Sequence, residues 1–207
     1  MTEFYSIVLI TILATMSPGP DFAMITRNSY LYGRPSGLFA ALGISLGVQV
    51  HVLYTIFGIG LIISQSVILF TLIKVVGAIY LIFIGIKTFI NREGLRIDLQ
   101  GGNSSLSSFS SLKNGFLTNA LNPKTTLFVV STFTQVVDAH TPLAIQFGYG
   151  LLMSVVHFIW FGLVALFFSR EQFRKKIMSY QKAVDRGIGS ILVALGISLM
   201  FANLSNR

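Results

Sequence analysis

Apolar residues fill this chain in six long blocks separated by short polar or basic connections. The blocks run roughly from Phe4 to Tyr30, Gly37 to Ile63, Val67 to Ile90, Gly115 to Val137, Pro142 to Ser169 and Val184 to Leu204. Each is close to the ~20 residues an α-helix needs to cross a bilayer. The pattern predicts an all-α polytopic membrane protein with six transmembrane helices. Two of the six are interrupted. Ser17-Pro18-Gly19-Pro20-Asp21 breaks the first, and Asn122-Pro123-Lys124 breaks the fourth, with Pro18 and Pro123 at an offset of 105. Each break carries a charge. Within a membrane, unwound backbone and an ionisable side chain are tolerated only where protein buries them or they line a watery cavity. The pair is therefore the first candidate for a site.

Composition agrees with the pattern. Hydrophobic residues are 53% of the 207 and charged residues 11%, against about 25% charged in an ordinary soluble domain. Six spans leave room for short loops and no soluble domain, so residues 1–207 read as one compact transmembrane unit. The leading residues carry Glu3 instead of a basic stretch, and no small-x-small cleavage site precedes Pro18, so the first block is expected to be a permanent span and not a signal peptide. The chain has no cysteine, which excludes disulfides, thiolate metal sites and cysteine catalysis. A net charge of +8 would suit nucleic acid, but the basic residues sit in short connections, where topology and anionic lipid account for them. No nucleic-acid partner is expected.

Counting Lys and Arg by connection orients the chain. The 1–2 connection holds Arg27 and Arg34, the 3–4 connection Lys87, Arg92, Arg96 and Lys113, and the 5–6 connection Arg170, Arg174, Lys175, Lys176, Lys182 and Arg186. The 2–3 turn and the 4–5 connection with Asp138 and His140 have none. Basic and non-basic connections alternate throughout, which puts three connections in the cytoplasm and both termini outside. The Ser- and Gly-rich stretch from Asn91 reads as a flexible cytoplasmic linker, about 91–112, between repeat 1 (about 1–90) and repeat 2 (about 113–207). The halves match in order: Pro18 with Pro123, His51 with His157 at an offset of 106, Gly85 with Gly196 at 111. Three spans per half turn the second half upside down. Inverted repeats with Pro-interrupted segments at matching positions point to the binding site of a secondary transporter.

Met16-Ser17-Pro18-Gly19-Pro20-Asp21, Arg27, the Gly43-x-x-x-Gly47 stretch and Gly115-Phe116-Leu117-Thr118-Asn119-Ala120-Leu121-Asn122-Pro123-Lys124 together resemble the LysE/RhtB family of bacterial amino-acid exporters, over essentially the whole chain. The homoserine, homoserine lactone and threonine branch is closer than the basic amino-acid branch. The resemblance implies efflux of small amino acids across the bacterial inner membrane, by proton antiport and without a cofactor.

The residues suggest how. Half-helices starting near Asp21 and Thr125 offer free N–H groups and a partial positive charge to a substrate carboxylate. Lys124 adds a full charge, and Asp21 provides an anion for an α-ammonium or a site for a proton. Ser17, Asn119, Asn122, Thr125 and Thr126 are the neutral substrate-binding partners; Pro18, Gly19, Pro20 and Pro123 make the breaks. Asp21, His51 and His157, with Gln49 nearby, form a candidate proton path. The blander reading makes Asp21 an N-cap paired with Lys124, the Asn residues ties for freed backbone, the histidines core residues and Lys74 a snorkelling side chain. Gly43 and Gly47 permit a close helix approach, within one subunit or across a homodimer.

Hydrolase, zincin and P-loop motifs are absent, so no enzyme is expected. The rival is a cation transporter of related membrane fold. With Asp21 taken as the lone acid within the spans and two unpaired histidines, the ligand set falls short of a metal site.

Overall fold

The computed structural model describes residues 2–65, 67–90, 106–138, 140–169 and 171–205, and every element among them is an α-helix. In chain order they are α1 (Thr2–Met16), α2 (Pro20–Gln65), α3 (Val67–Ile90), α4 (Ser108–Ala120), α5 (Pro123–Val136), α6 (Leu143–Phe168) and α7 (Glu171–Ser205). Three of them are long and apolar enough to cross a membrane, over Pro20–Gly58, Thr71–Ile90 and Leu143–Phe167, and α1 is a shorter apolar helix. At 1.5 Å per residue, the 13 residues of α4 and 14 of α5 are each too short to span alone.

Local chemistry sets the boundaries. Backbone pairing of α1 stops where Pro18 and Pro20 withhold their N–H groups, and α2 begins with Pro20 in its first turn. Asn122 caps α5, its side chain accepting from the Lys124 N–H at 3.0 Å, with Pro123 in the first turn where a missing N–H is harmless. The expected loop between the first two apolar blocks is instead a kink inside α2. Gly33 takes φ 81° and ψ 177°, a conformation that costs a glycine little, and Pro35 follows it. Two other connections are also shorter than expected. Ser107 caps α4 by accepting from Ser110 N–H at 3.1 Å, so residues 108–112, expected as linker, are helical and Lys113 lies on the helix. The Gly-rich stretch 91–105 falls outside the described residues. Helix α7 starts at Glu171, so the basic run from Arg174 to Arg186 is carried on a helix and not in a loop.

Asp21 is also not the lone acid within the spans. Asp185, inside the last apolar block, lies about four turns into α7 and is only 3% exposed, a second buried acid besides Asp21.

The core lies between the helices. Ile7 and Ile10 of α1, Val48 and Val52 of α2, Val129 of α5 and Met153 of α6 are fully buried in one cluster. The outward surface is apolar as well, with Phe57, Ile68, Val76, Phe83 and Leu151 all exposed. In water that would be an aggregation surface; against lipid it is solvated, as a helical membrane protein requires.

Close packing between α2 and α4 depends on glycine. A Cβ on Gly115 would collide with the Ala40 carbonyl, one on Gly43 with the Leu112 carbonyl, and one on Gly47 would fall 2.8 Å from Asn119 Oδ1. The Gly43–Gly47 pair therefore serves an approach within the subunit. Gln49 ties α2 to α6, donating to the Gly150 carbonyl at 2.9 Å and to Ser154 Oγ at 2.5 Å.

Candidate functional site

Tight α2–α4 packing delivers Asn119, fully buried at the end of α4, to the start of α2. Its Nδ2 donates to Asp21 Oδ2 at 2.8 Å and to Thr125 Oγ1 at 3.2 Å. Asn122 Nδ2 donates to the same Asp21 oxygen at 3.1 Å. Asp21 is thus held across the molecule by both asparagines of the second break. It does not cap its own helix: the first backbone bond of α2 runs from Ala23 N–H to the Gly19 carbonyl. Asp21 Oδ1 is buried with no hydrogen-bond partner among the described residues. An unsatisfied buried oxygen costs about 1–3 kcal/mol, more when charged.

Lys124 reaches the opposite way. Its Nζ donates to the Ser17 carbonyl at 2.6 Å and approaches the Pro18 carbonyl at 3.4 Å. The expected Asp21–Lys124 pair does not form; no hydrogen bond or ion pair joins them among the described residues. Each break binds the charge of the other. The lysine stem runs past Gly19: a Cβ there would be 3.4 Å from Lys124 Cδ, in ordinary van der Waals contact. Ser17 is pinned in turn, its Oγ 2.9 Å from Thr88 Oγ1 on α3.

Ser17, Asp21, Asn122, Lys124 and Thr125 line one small cavity with Thr15, Phe128, His157 and Phe161. Its open space of about 20 Å³ admits about one water-sized sphere, so taking up anything larger requires movement. Thr126 is not among the residues lining the cavity; it faces His51 Nδ1 at 3.3 Å and the Asn122 carbonyl at 3.3 Å.

The two histidines lie on different helices, His51 on α2 and His157 on α6. His51 Nε2 donates to the Asn119 carbonyl at 2.8 Å, while its Nδ1 faces the Tyr54 hydroxyl at 2.7 Å. His157 uses the other nitrogen: Nδ1 donates to the Met153 carbonyl at 2.8 Å, leaving Nε2 3.3 Å from Thr15 Oγ1. A carbonyl on one nitrogen and a hydroxyl on the other suit a neutral ring. His51 therefore connects to Asp21 indirectly, through Asn119 and through Thr126 and Asn122, and His157 lines the cavity directly. The side chain of Lys74 lies outside the described residues.

Thr15, Tyr80 and Thr88 escaped the sequence reading. Nothing in their type distinguishes them from packing residues, although Tyr80, Ile84 and Lys87 share one face of α3 by their spacing.

A bundle of lipid-compatible helices meeting at two charged, mutually bonded helix breaks is the architecture of a membrane carrier. Over residues 12–203 the chain matches the LysE type translocator family, and it belongs to that family. It is 30% identical to the threonine efflux protein of Escherichia coli (strain K12) over 96% of this chain and 98% of the relative. Identity is 29% to the threonine efflux protein of Salmonella typhimurium, covering 98% and 99%. It is 28% to an uncharacterized membrane protein, YrhP, of Bacillus subtilis (strain 168), covering 95% and 98%. No solved structure matches the chain significantly.

Proposed function

We propose that this protein is a secondary exporter of small neutral amino acids, threonine- or homoserine-like, which leave across the bacterial inner membrane in exchange for protons. The observation that carries this reading is the crossed charge arrangement at the breaks: among the described residues, a buried Asp21 with one oxygen unbonded and a lysine ammonium on backbone carbonyls, both lining one cavity. A zwitterion matches both needs. Its ammonium takes Asp21 Oδ1, and its carboxylate draws Lys124 off the Ser17 and Pro18 carbonyls. Asn119, Asn122 and Thr125 hold Asp21 in place, and Ser17 provides the carbonyl that Lys124 gives up. When substrate departs, a proton on Asp21 is the natural replacement for the ammonium. The names of the relatives add support for the substrate class.

In this reading α1 with the first part of α2, and α4 with α5, make the two broken spans of a single six-span domain. Repeat 1 covers about 1–90 and inverted repeat 2 about 113–207, joined by a cytoplasmic linker of about 91–112, with both termini outside. An exchange of partners between halves supports it. His157 bonds to Thr15 just before the first break, and His51 to Asn119 just before the second. Where α3 crosses α7, Gly85 packs on Gly189 and Gly196 on Ala78; the offset of 111 converts one pair into the other.

The test is efflux from proteoliposomes loaded with labelled threonine, homoserine, lysine or leucine, with and without an imposed proton gradient. Threonine and homoserine should leave fastest, and faster with protons driven inward. Because Asp185 adds a second buried acid, a divalent cation belongs in the same assay. Cation movement with no amino-acid movement would overturn the reading.

A further inference from the structure

A second cavity lies beside the first. It is an open cleft of about 540 Å³ between α3 and the two breaks, within the 300–1,000 Å³ of ordinary small-molecule sites. Ser17, Gly19, Asn122 and Lys124 line both spaces, so the wall between them includes the Lys124 side chain, which lies beside Gly19 with its ammonium on the Ser17 carbonyl. Tyr80 steadies that wall from the cleft side, donating its hydroxyl to the Lys124 carbonyl at 3.2 Å.

The lining has a definite chemistry. Among the described residues, Lys87 and Lys124 are its charged residues, and neither Asp nor Glu lines it. Phe83, Ile84 and Leu127 give it an apolar side. Two ammonium groups beside an apolar wall fit the carboxylate and the side chain of a small amino acid, and leave the substrate ammonium to be claimed by Asp21 beyond the partition. Lys87 belongs to the last turn of α3, at the end that the distribution of basic residues assigns to the cytoplasm, from which an exporter loads.

We propose that this cleft is a separate entry subsite for the amino acid. Lys87 holds the carboxylate there, and Lys124 is the partition that the same carboxylate displaces on the way to Asp21. The proposal rests on the reading of the cargo as an amino acid. It makes loading a two-station process, with one lysine exchanging its backbone carbonyls for the substrate.

The chain has no cysteine, so a single Phe83→Cys substitution gives a clean reporter. Phe83 is 55% exposed and should tolerate the change; Leu127→Cys provides a second reporter across the cleft. The rate of alkylation by N-ethylmaleimide is measured in proteoliposomes with and without threonine. Threonine at ten times its half-protecting concentration should slow alkylation roughly tenfold by mass action. Protection should persist when Asp21→Asn removes the inner site, survive Lys87→Arg and vanish with Lys87→Gln. Protection that disappears with Asp21→Asn, or is untouched by Lys87→Gln, overturns the entry subsite. Absence of protection in a Phe83→Cys protein that still exports threonine overturns it as well, leaving the exporter reading intact. A folded Phe83→Cys protein that exports no amino acid, while the unsubstituted chain also exports none, removes the exporter reading itself.

Discussion

Gly115→Ala provides a sharp test of how the site is held. The added methyl would collide with the Ala40 carbonyl and lie 2.8 Å from its carbon. Both belong to helix backbone and cannot rotate away, so α2 and α4 must separate. Overpacking of this kind costs about 1–3 kcal/mol, against a gain of about 1 kcal/mol from replacing helical glycine by alanine. Gly148→Ala on α6 is the matched control, because a Cβ there meets nothing within 4 Å. The propensity gain is common to both variants, so their difference in stability isolates the collision at about 1–3 kcal/mol, roughly a 5- to 150-fold difference in unfolding equilibrium. The consequence for function is larger. Asn119 lies one turn beyond Gly115, and its 2.8 Å bond to Asp21 would exceed 3.5 Å after a separation of about 1 Å, beyond useful hydrogen-bond range. Unfolding by SDS titration in mixed micelles reads the stability, and threonine efflux from proteoliposomes reads the site. Equal stability and equal efflux in the two variants would refute both the packing and its link to Asp21.

Asp21→Asn should abolish amino-acid efflux while the protein still reconstitutes, because the substrate ammonium loses its anion; normal efflux in that variant would remove Asp21 from the site. Gln49→Ala should lower stability by about 1–3 kcal/mol for two lost bonds to α6, with half-saturation for substrate unchanged, since Gln49 does not line the cavity; SDS unfolding and an efflux titration separate the two. Tyr54→Phe should cost about 0.5–1.5 kcal/mol through the 2.7 Å contact with His51, and leave Asp21 and its asparagines in place. Glu3→Gln should loosen the end of α1 from the 4–5 connection, because the carboxylate accepts from Asp138 N–H at 3.0 Å and the Tyr149 hydroxyl at 3.0 Å. Faster backbone hydrogen exchange in α1 is the readout.

Much of the candidate site was legible because bilayer physics makes its ingredients rare. Few reasons exist for proline, asparagine and opposite charges inside apolar blocks, so Asp21, Asn119, Asn122 and Lys124 stood out by type and position. Their pairing was not legible. A direct Asp21–Lys124 bond is the simple expectation for opposite charges, yet the asparagines claim Asp21 and the freed carbonyls of Ser17 and Pro18 claim the lysine. The N-cap reading of Asp21 failed for a related reason: the carboxylate is turned toward the second break, away from the first turn of its own helix. The extent of α7 was also hidden, because basic residues read as loop when they are counted for topology, and Asp185, at the edge of the last apolar block, was passed over as an acid of the spans.

By itself the sequence determined where helices lie in an apolar chain, where proline must interrupt them, and which charges sit at the interruptions; backbone hydrogen bonding and the cost of burying charge dictate these things locally. Which break supports which charge, whether glycines serve an approach within one subunit, and how a lysine comes to line two cavities were decided only by tertiary structure. Those outcomes depend on which groups about a hundred residues apart come within 3 Å of each other, and no local preference carries that information.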